Sequence, residues 1–240
     1  VDSEHSAFAQ ALRAGRKSEV RRLILTASGG PFRGRSRAEL SGVTPDEAMA
    51  HPTWAMGRVI TINSSTLVNK GLELLEAGLL YDVPLDAIPV VVHPRSMVHA
   101  RVEYVAGSTI AQCSPPDMRL PIALGLTWPD RVPDAAPAFD WTKASAWTFE
   151  PLDDEAFPAV ELARRVGNAG GVAPAVCDSA NEVRVDAFCA GELAFTGIVD
   201  VITACVDRLL GPDGPDFGEL PGPGVLAADA AAAHGLRLAD

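Results

Sequence analysis

The sequence contains no apolar run approaching the roughly 20 residues a helix needs to cross a bilayer, and no signal peptide is visible, so a membrane protein is not expected. Cysteine is sparse: Cys113, Cys177, Cys189 and Cys205 lie far apart and form no C-x-x-C pair. That pattern argues against a zinc site and for reduced, partly buried thiols in a cytoplasmic protein. Positive charge is also short. The 20 Lys and Arg against 31 Asp and Glu leave a net charge of −11, which disfavours nucleic acid or an anionic membrane surface as partner. An anionic small substrate is still open, because local basic residues and backbone amides can hold a phosphate inside an acidic protein. There is no internal repeat. What remains is a soluble globular composition, 48% hydrophobic and 21% charged over 240 residues, long enough for one large or two small domains.

The pattern along the chain is that of a mixed α/β (α+β) protein: a mixed-sheet catalytic domain over residues 1–127, a linker over 128–150, and a small helical bundle over 151–240. Ser6 to Leu12 reads as helix and Arg22 to Thr26 as a buried strand running into Ser28-Gly29-Gly30. Thr44-Pro45-Asp46-Glu47 has the N-cap, first-position proline and third-position glutamate of a helix start. The β-branched run Val59-Ile60-Thr61-Ile62 predicts a short strand, and a helix capped by Ser64 or Ser65 follows it. Val90 to Val92 is a further strand. Met97–Val105 and Ser108–Cys113 predict a hairpin about Ala106-Gly107, with Val98, Ala100, Val102 and Tyr104 on one face. The stretch from Trp128 to Phe139 is proline-rich, and helices are expected near 153–168, 174–190, 196–210 and 224–238.

Four segments carry chemistry. In Asp2-Ser3-Glu4, two carboxylates two positions apart project to one side of an extended chain; they are either a solvated turn or half of a hard-cation site. In the helix from Thr66, the residues Leu67, Val68, Leu72, Leu75 and Leu79 form the expected core stripe. Thr66, Asn69, Glu73 and Glu76 gather opposite, with Lys70 at the flank, so an amide, an ammonium and a carboxylate share one surface beside a hydroxyl-rich helix start that can receive an anion. Ser28-Gly29-Gly30 after a strand is either a tight turn or a phosphate-approaching loop. His51-Pro52-x-Trp54-x-Met56-Gly57 is either a surface loop or a lid whose indole covers a ligand while His51 offers a proton donor. His93 and His99, on or beside strands, read as structural.

Together these segments resemble the 1-deoxy-D-xylulose 5-phosphate reductoisomerase family. The resemblance is carried by V-D-S-E-H-S, L-T-A-S-G-G-P-F, H-P-T-W-A-M-G, N-S-S-T-L-V-N-K-G-L-E, V-H-P-R-S-M-V-H, P-P-D-M-R-L-P-I-A and D-S-A-N-E, in the family's order over nearly the whole chain. It implies an NADPH-dependent enzyme of non-mevalonate isoprenoid biosynthesis, a homodimer using Mg²⁺ or Mn²⁺ (or Co²⁺), which rearranges a phosphorylated sugar and reduces the product. Carried over by motif, Asp2, Glu4 and Glu73 are the metal carboxylates. Ser3, Ser28, Ser64, Asn69 and Lys70 contact substrate, the last four around its phosphate. His51 and Trp54 close from the lid, and Met56 and Gly57 touch the nicotinamide cofactor.

Arg95 stands where the family usually has Gln, and Asp178-Ser179 where Asn-Ala is usual; neither lies among these positions. The family's glycine-rich nucleotide fingerprint does not occur ahead of Asp2, so residues 1–240 are expected to be inactive in reduction by themselves. Two other functions fit the same residues: a metal-dependent phosphosugar lyase needing no NADPH, and a non-catalytic binding module.

Overall fold

The structure, a computed structural model, describes residues 2–50 and 56–211. Its contacts divide the chain into two compact units, each discontinuous in sequence: residues 1–29 with 76–152, and residues 30–75 with 153–240.

The first unit is built on a five-stranded sheet. Its strands are β1 (Val20–Ala27), β2 (Val90–Val92), β3 (Val98–Tyr104), β4 (Thr109–Cys113) and β5 (Glu150–Pro151), in the order β4-β3-β1-β2-β5. Only β1 and β2 run parallel, pairing Leu25 with Val90 and Ala27 with Val92; the other neighbours are antiparallel. The expected hairpin is present. Val102 faces Ile110, and Gly107 takes the positive φ (88°) that closes the turn. Val98, Ala100, Val102 and Tyr104 are buried on one face, as their alternation requires. Leu23 and Leu25 of β1 are fully buried, each contributing about 1.5–3 kcal/mol by leaving water. The helix α1 (Ser3–Ala11) lies against β3 and β4, and α6 (Arg119–Thr127) packs on α1.

The second unit is helical. It comprises α2 (Arg37–Leu40), α3 (Pro45–Met49), α4 (Arg58–Thr66), the first two turns of α5 (Val68–Tyr81), then α7 (Ala159–Ala169), α8 (Ala173–Cys189) and α9 (Phe195–Leu210). The helix start read at Thr44 is a full capping box: Glu47 N–H donates to Thr44 Oγ1 at 3.4 Å, and Glu47 Oε2 accepts from Thr44 N–H at 2.9 Å. Phe195 joins the bundle to the segment after β1 through an edge-on contact with Phe32 at 5.1 Å. α5 sits tightly on α7. A Cβ at Gly71 would stand 2.8 Å from Ala163 Cβ and 3.0 Å from the Ala159 carbonyl oxygen, so only glycine admits this approach.

Three expectations are corrected. Val59 to Ile62 is helix, not strand: the run belongs to α4, which Gly57 N-caps. The helix penalty of β-branched residues is a few tenths of a kcal/mol each, on the order of what one buried side chain outweighs, and Thr61 and Ile62 are buried here. Ser64 and Ser65 do not cap the next helix, because they form the last turn of α4; Leu67 at φ 61° breaks the chain and α5 starts at Val68, whose N–H donates to Thr66 Oγ1 at 3.4 Å. The core stripe of α5 is also displaced. Leu79 is 84% exposed, while Leu74 and Ala77 are fully buried, along with Lys70 at 6% and Glu73 at 3% exposure. The helix expected at 224–238 lies outside the described residues.

Candidate functional site

In the first unit, the Asp2-Ser3-Glu4 segment opens a helix and is not extended throughout. Asp2 alone is extended (φ −121°, ψ 146°) and N-caps α1, its Oδ1 accepting from Glu4 N–H at 2.8 Å and His5 N–H at 3.0 Å. Aspartate is a strong cap, and Glu4 in the first turn is favoured by the helix dipole, which is why the helix begins three residues earlier than its apolar pattern suggests. These two cap bonds fix the orientation of the Asp2 carboxylate. Ser3 Oγ donates to Glu4 Oε2 at 2.5 Å, setting that carboxylate's rotamer.

This end of α1 is anchored to the last turns of α5. His5 Nε2 and Glu76 Oε2 are 2.8 Å apart, and Tyr81 donates its hydroxyl to the His5 carbonyl at 2.6 Å. The His5 hydrogen bond holds the Glu76 carboxyl below the usual range. Burial, with the Asp2 charge adding to it, pushes the Tyr81 phenol up to about 12, so at neutral pH it stays a donor. Ser28 is placed where β1 ends beside its parallel neighbour, with His93 N–H donating to the Ala27 carbonyl at 2.7 Å. The carboxyl edge of a parallel pair is the usual ligand side of an α/β sheet.

In the second unit, the loop that follows Ser28 presses on the end of α4. Gly30 has φ 64°, and a Cβ there would stand 2.9 Å from the Ser64 carbonyl oxygen. Ser64 is half-buried in that last turn. One residue beyond the Leu67 break, the first turn of α5 presents Asn69 and Lys70. Asn69 Nδ2 donates to Glu73 Oε1 at 2.6 Å and Lys70 Nζ to Glu73 Oε2 at 2.7 Å. The two charged side chains are 8% and 5% exposed. A buried ion pair is seldom the most stable filling for its volume; it holds a carboxylate and an ammonium in fixed places.

Asn69 also lines a cavity of about 490 Å³ with Gly57, Arg58, Val59, Ile60 and Asn63. Gly57 is exposed at the α4 start and Met56 is half-buried beside it. His51 and Trp54 lie outside the described residues. The structure thus groups Asn69, Lys70 and Glu73, sets Gly57 on the wall of the cavity that Asn69 lines, and groups Asp2, Ser3 and Glu4. Sequence reading missed Arg58 and Asn63. Arg58 lines the cavity and pairs with Asp186 at 2.6 Å.

His93 and His99 are buried. Nδ1 of His93 is 2.7 Å from the Thr148 carbonyl and Nε2 of His99 is 3.2 Å from that of Ser114. Among the described residues no helix is long and apolar enough to cross a membrane.

Two family models match: the 1-deoxy-D-xylulose 5-phosphate reductoisomerase C-terminal domain over residues 1–81, and the DXP reductoisomerase C-terminal domain over 113–233. The reductoisomerases of Cutibacterium acnes and Kitasatospora griseola are each 69% identical, over 216 and 206 residues, which is 90% and 86% of this chain and 53% of each relative. The chain therefore spans about half the length of the curated relatives it matches. Among solved structures, the Zymomonas mobilis reductoisomerase in complex with NADPH is similar at TM-score 0.83 and 40% identity, covering 98% of this chain and 58% of that one. A DOX-P reductoisomerase in complex with NADPH, fosmidomycin and magnesium is similar at TM-score 0.84 and 34% identity, covering 99% and 61%.

Proposed function

The chain belongs to the 1-deoxy-D-xylulose 5-phosphate reductoisomerase family, and on that footing we propose that the protein it forms converts 1-deoxy-D-xylulose 5-phosphate to 2-C-methyl-D-erythritol 4-phosphate with NADPH and a divalent cation. We read it as a cytoplasmic homodimer that engages neither nucleic acid nor membrane. The metal- and substrate-binding role falls to residues 1–127 and a supporting one to the helices of 151–240.

Asp2, Glu4 and Glu73 are the proposed cation ligands. Their chemistry suits Mg²⁺, Mn²⁺ or Co²⁺, because all three offer hard carboxylate oxygens, and Asp2 and Glu4 are already oriented by the α1 cap and by Ser3. When bound, the cation supplies Lewis-acid stabilisation of charge on the substrate's oxygens, and NADPH supplies the hydride. Ser3 and Glu4 face the reacting end. Ser28, Ser64, Asn69 and Lys70 take the phosphate: Lys70 contributes a fixed ammonium and Asn69 an amide, while the serines donate hydroxyls. Phosphate binding so far from the reacting carbons orients them, which is how remote binding energy lowers a barrier. His51 and Trp54 close over the ligand, and Met56 and Gly57 meet the nicotinamide.

The observation that carries this reading is the buried Lys70–Glu73–Asn69 arrangement inside the N-S-S-T-L-V-N-K-G-L-E motif. The test follows absorbance at 340 nm with the sugar phosphate and Mn²⁺, comparing the full-length protein with residues 1–240 alone. Substrate-dependent NADPH loss is expected from the first and none from the second, because no glycine-rich pyrophosphate cradle lies within residues 1–240. No NADPH loss from the full-length protein would overturn the assignment, and phosphate or aldehyde release without NADPH would favour the lyase.

A further inference from the structure

We propose that Asn63 is a further phosphate-binding residue of this pocket and that Asn181, on α8, is the positioning residue that decides which pole of the Asn63 amide meets the ligand. This rests on the sugar-phosphate reading above.

Asn63 lies one residue before Ser64 and lines the same cavity as Asn69 and Arg58. A primary amide offers either an acceptor oxygen or a donor nitrogen, and a phosphoryl group accepts only the second. Asn181, fully buried, donates from Nδ2 to Asn63 Oδ1 at 3.0 Å. With its oxygen committed to α8, Asn63 has the Nδ2 donor left for the cavity. Arg58 supplies positive charge to the same wall and is itself tied to α8 through Asp186. The wall is therefore rich in donors and cation, which suits phosphoryl oxygens.

Asn181 is a poor choice for stability. Its own Oδ1 is buried with no hydrogen-bond partner, which costs stability. Control over the Asn63 amide accounts for an asparagine there. The D-S-A-N-E motif of the helical tail, which the assigned site residues leave without a role, supplies this contact through its asparagine.

The test measures KM and kcat of the full-length enzyme, and the calorimetric Kd for inorganic phosphate, in N63A, N181L and the double variant. N63A should raise both KM and Kd roughly tenfold, as the loss of one hydrogen bond to a charged acceptor does, with kcat little changed. N181L should do the same. The double variant should be no worse than N63A alone, since Asn181 then has nothing to orient. A multiplicative effect in the double variant would overturn the positioning role, because a merely structural residue adds independently. If N181L does not fold, N63D decides. It keeps an acceptor for Asn181 but turns an anionic oxygen to the cavity, so KM and Kd should rise further than in N63A; unchanged values would refute the proposal. Loss of the reductoisomerase reading would show as no turnover in the parent. In that event phosphate Kd still decides: a tenfold weakening in N63A supports the site, and an unchanged Kd overturns it.

Discussion

Removing either charge of the Lys70–Glu73 pair should cost more than removing both. The ammonium and carboxylate are 2.7 Å apart with side chains 8% and 5% exposed, so neither can recover hydration when the other is lost. Breaking such a pair typically costs about 3–5 kcal/mol, whereas replacing both charges by apolar groups of similar volume is often close to neutral. Glu73→Gln, Glu73→Met and Lys70→Met should therefore each lose about 3–5 kcal/mol, and Lys70→Met/Glu73→Met should lose less than any of them. A helical wheel that puts Glu73 on a solvated face predicts instead that Glu73→Gln is neutral for stability. Urea denaturation separates the two, provided the m-value is unchanged so that midpoint shifts report stability. Single costs below about 1 kcal/mol would place the pair in the surface regime. Single costs that add to within about 0.5 kcal/mol in the double variant would mean the charges do not interact. Either result refutes the buried clamp. The same measurement conditions any metal titration: weaker Mn²⁺ binding by Glu73→Gln speaks for ligation only in protein shown to be folded under the assay.

What was legible in the sequence was what local chemistry decides. The β3–β4 hairpin follows from alternation plus one glycine at the turn, and the α3 start from a capping box whose parts lie within four residues. The three helices of the tail come within a few residues of their expected ranges, though α7 starts late, at Ala159. Two of the failures turn on packing partners outside the segment itself. The run Val59 to Ile62 has strand propensity and is helix because α3 and α8 pack against α4. The expected leucine stripe of α5 follows hydrophobicity, but α5 buries more than one side: Gly71 meets α7 with its apolar face, and Lys70 and Glu73, well round the helix from it, are buried too, charge that no hydropathy pattern reveals. The assigned site residues came from motif resemblance, and the structure adds why they are held as they are. The Asn63–Asn181 contact, 118 positions apart, was not legible at all.

Further outcomes follow from individual positions. Gly34→Ala meets no atom within 4 Å and should show only the strain of its φ of 84°, about 1–2 kcal/mol; Gly30→Ala meets the Ser64 carbonyl oxygen at 2.9 Å and should cost clearly more, so equal urea midpoints would refute the close approach. Burial pushes the Cys177 thiol up to about 12, and iodoacetamide at pH 8 should leave it unmodified until the protein is denatured, with Cys113 and Cys189 reacting first by mass spectrometry. Asp117 gives the pH dependence. Hydrogen bonds from the Arg119 side chain hold its carboxyl well down, from 3.8 to about 2. Because the folded value is the lower one, folding favours the charged form: the contribution to stability is complete above 3.8, fades as pH falls through this window, and is gone below about 2. A carboxyl-carbon NMR titration should find the low midpoint in the parent and its return towards 3.8 in Arg119→Gln. An unchanged midpoint in that variant would show that Arg119 is not the cause.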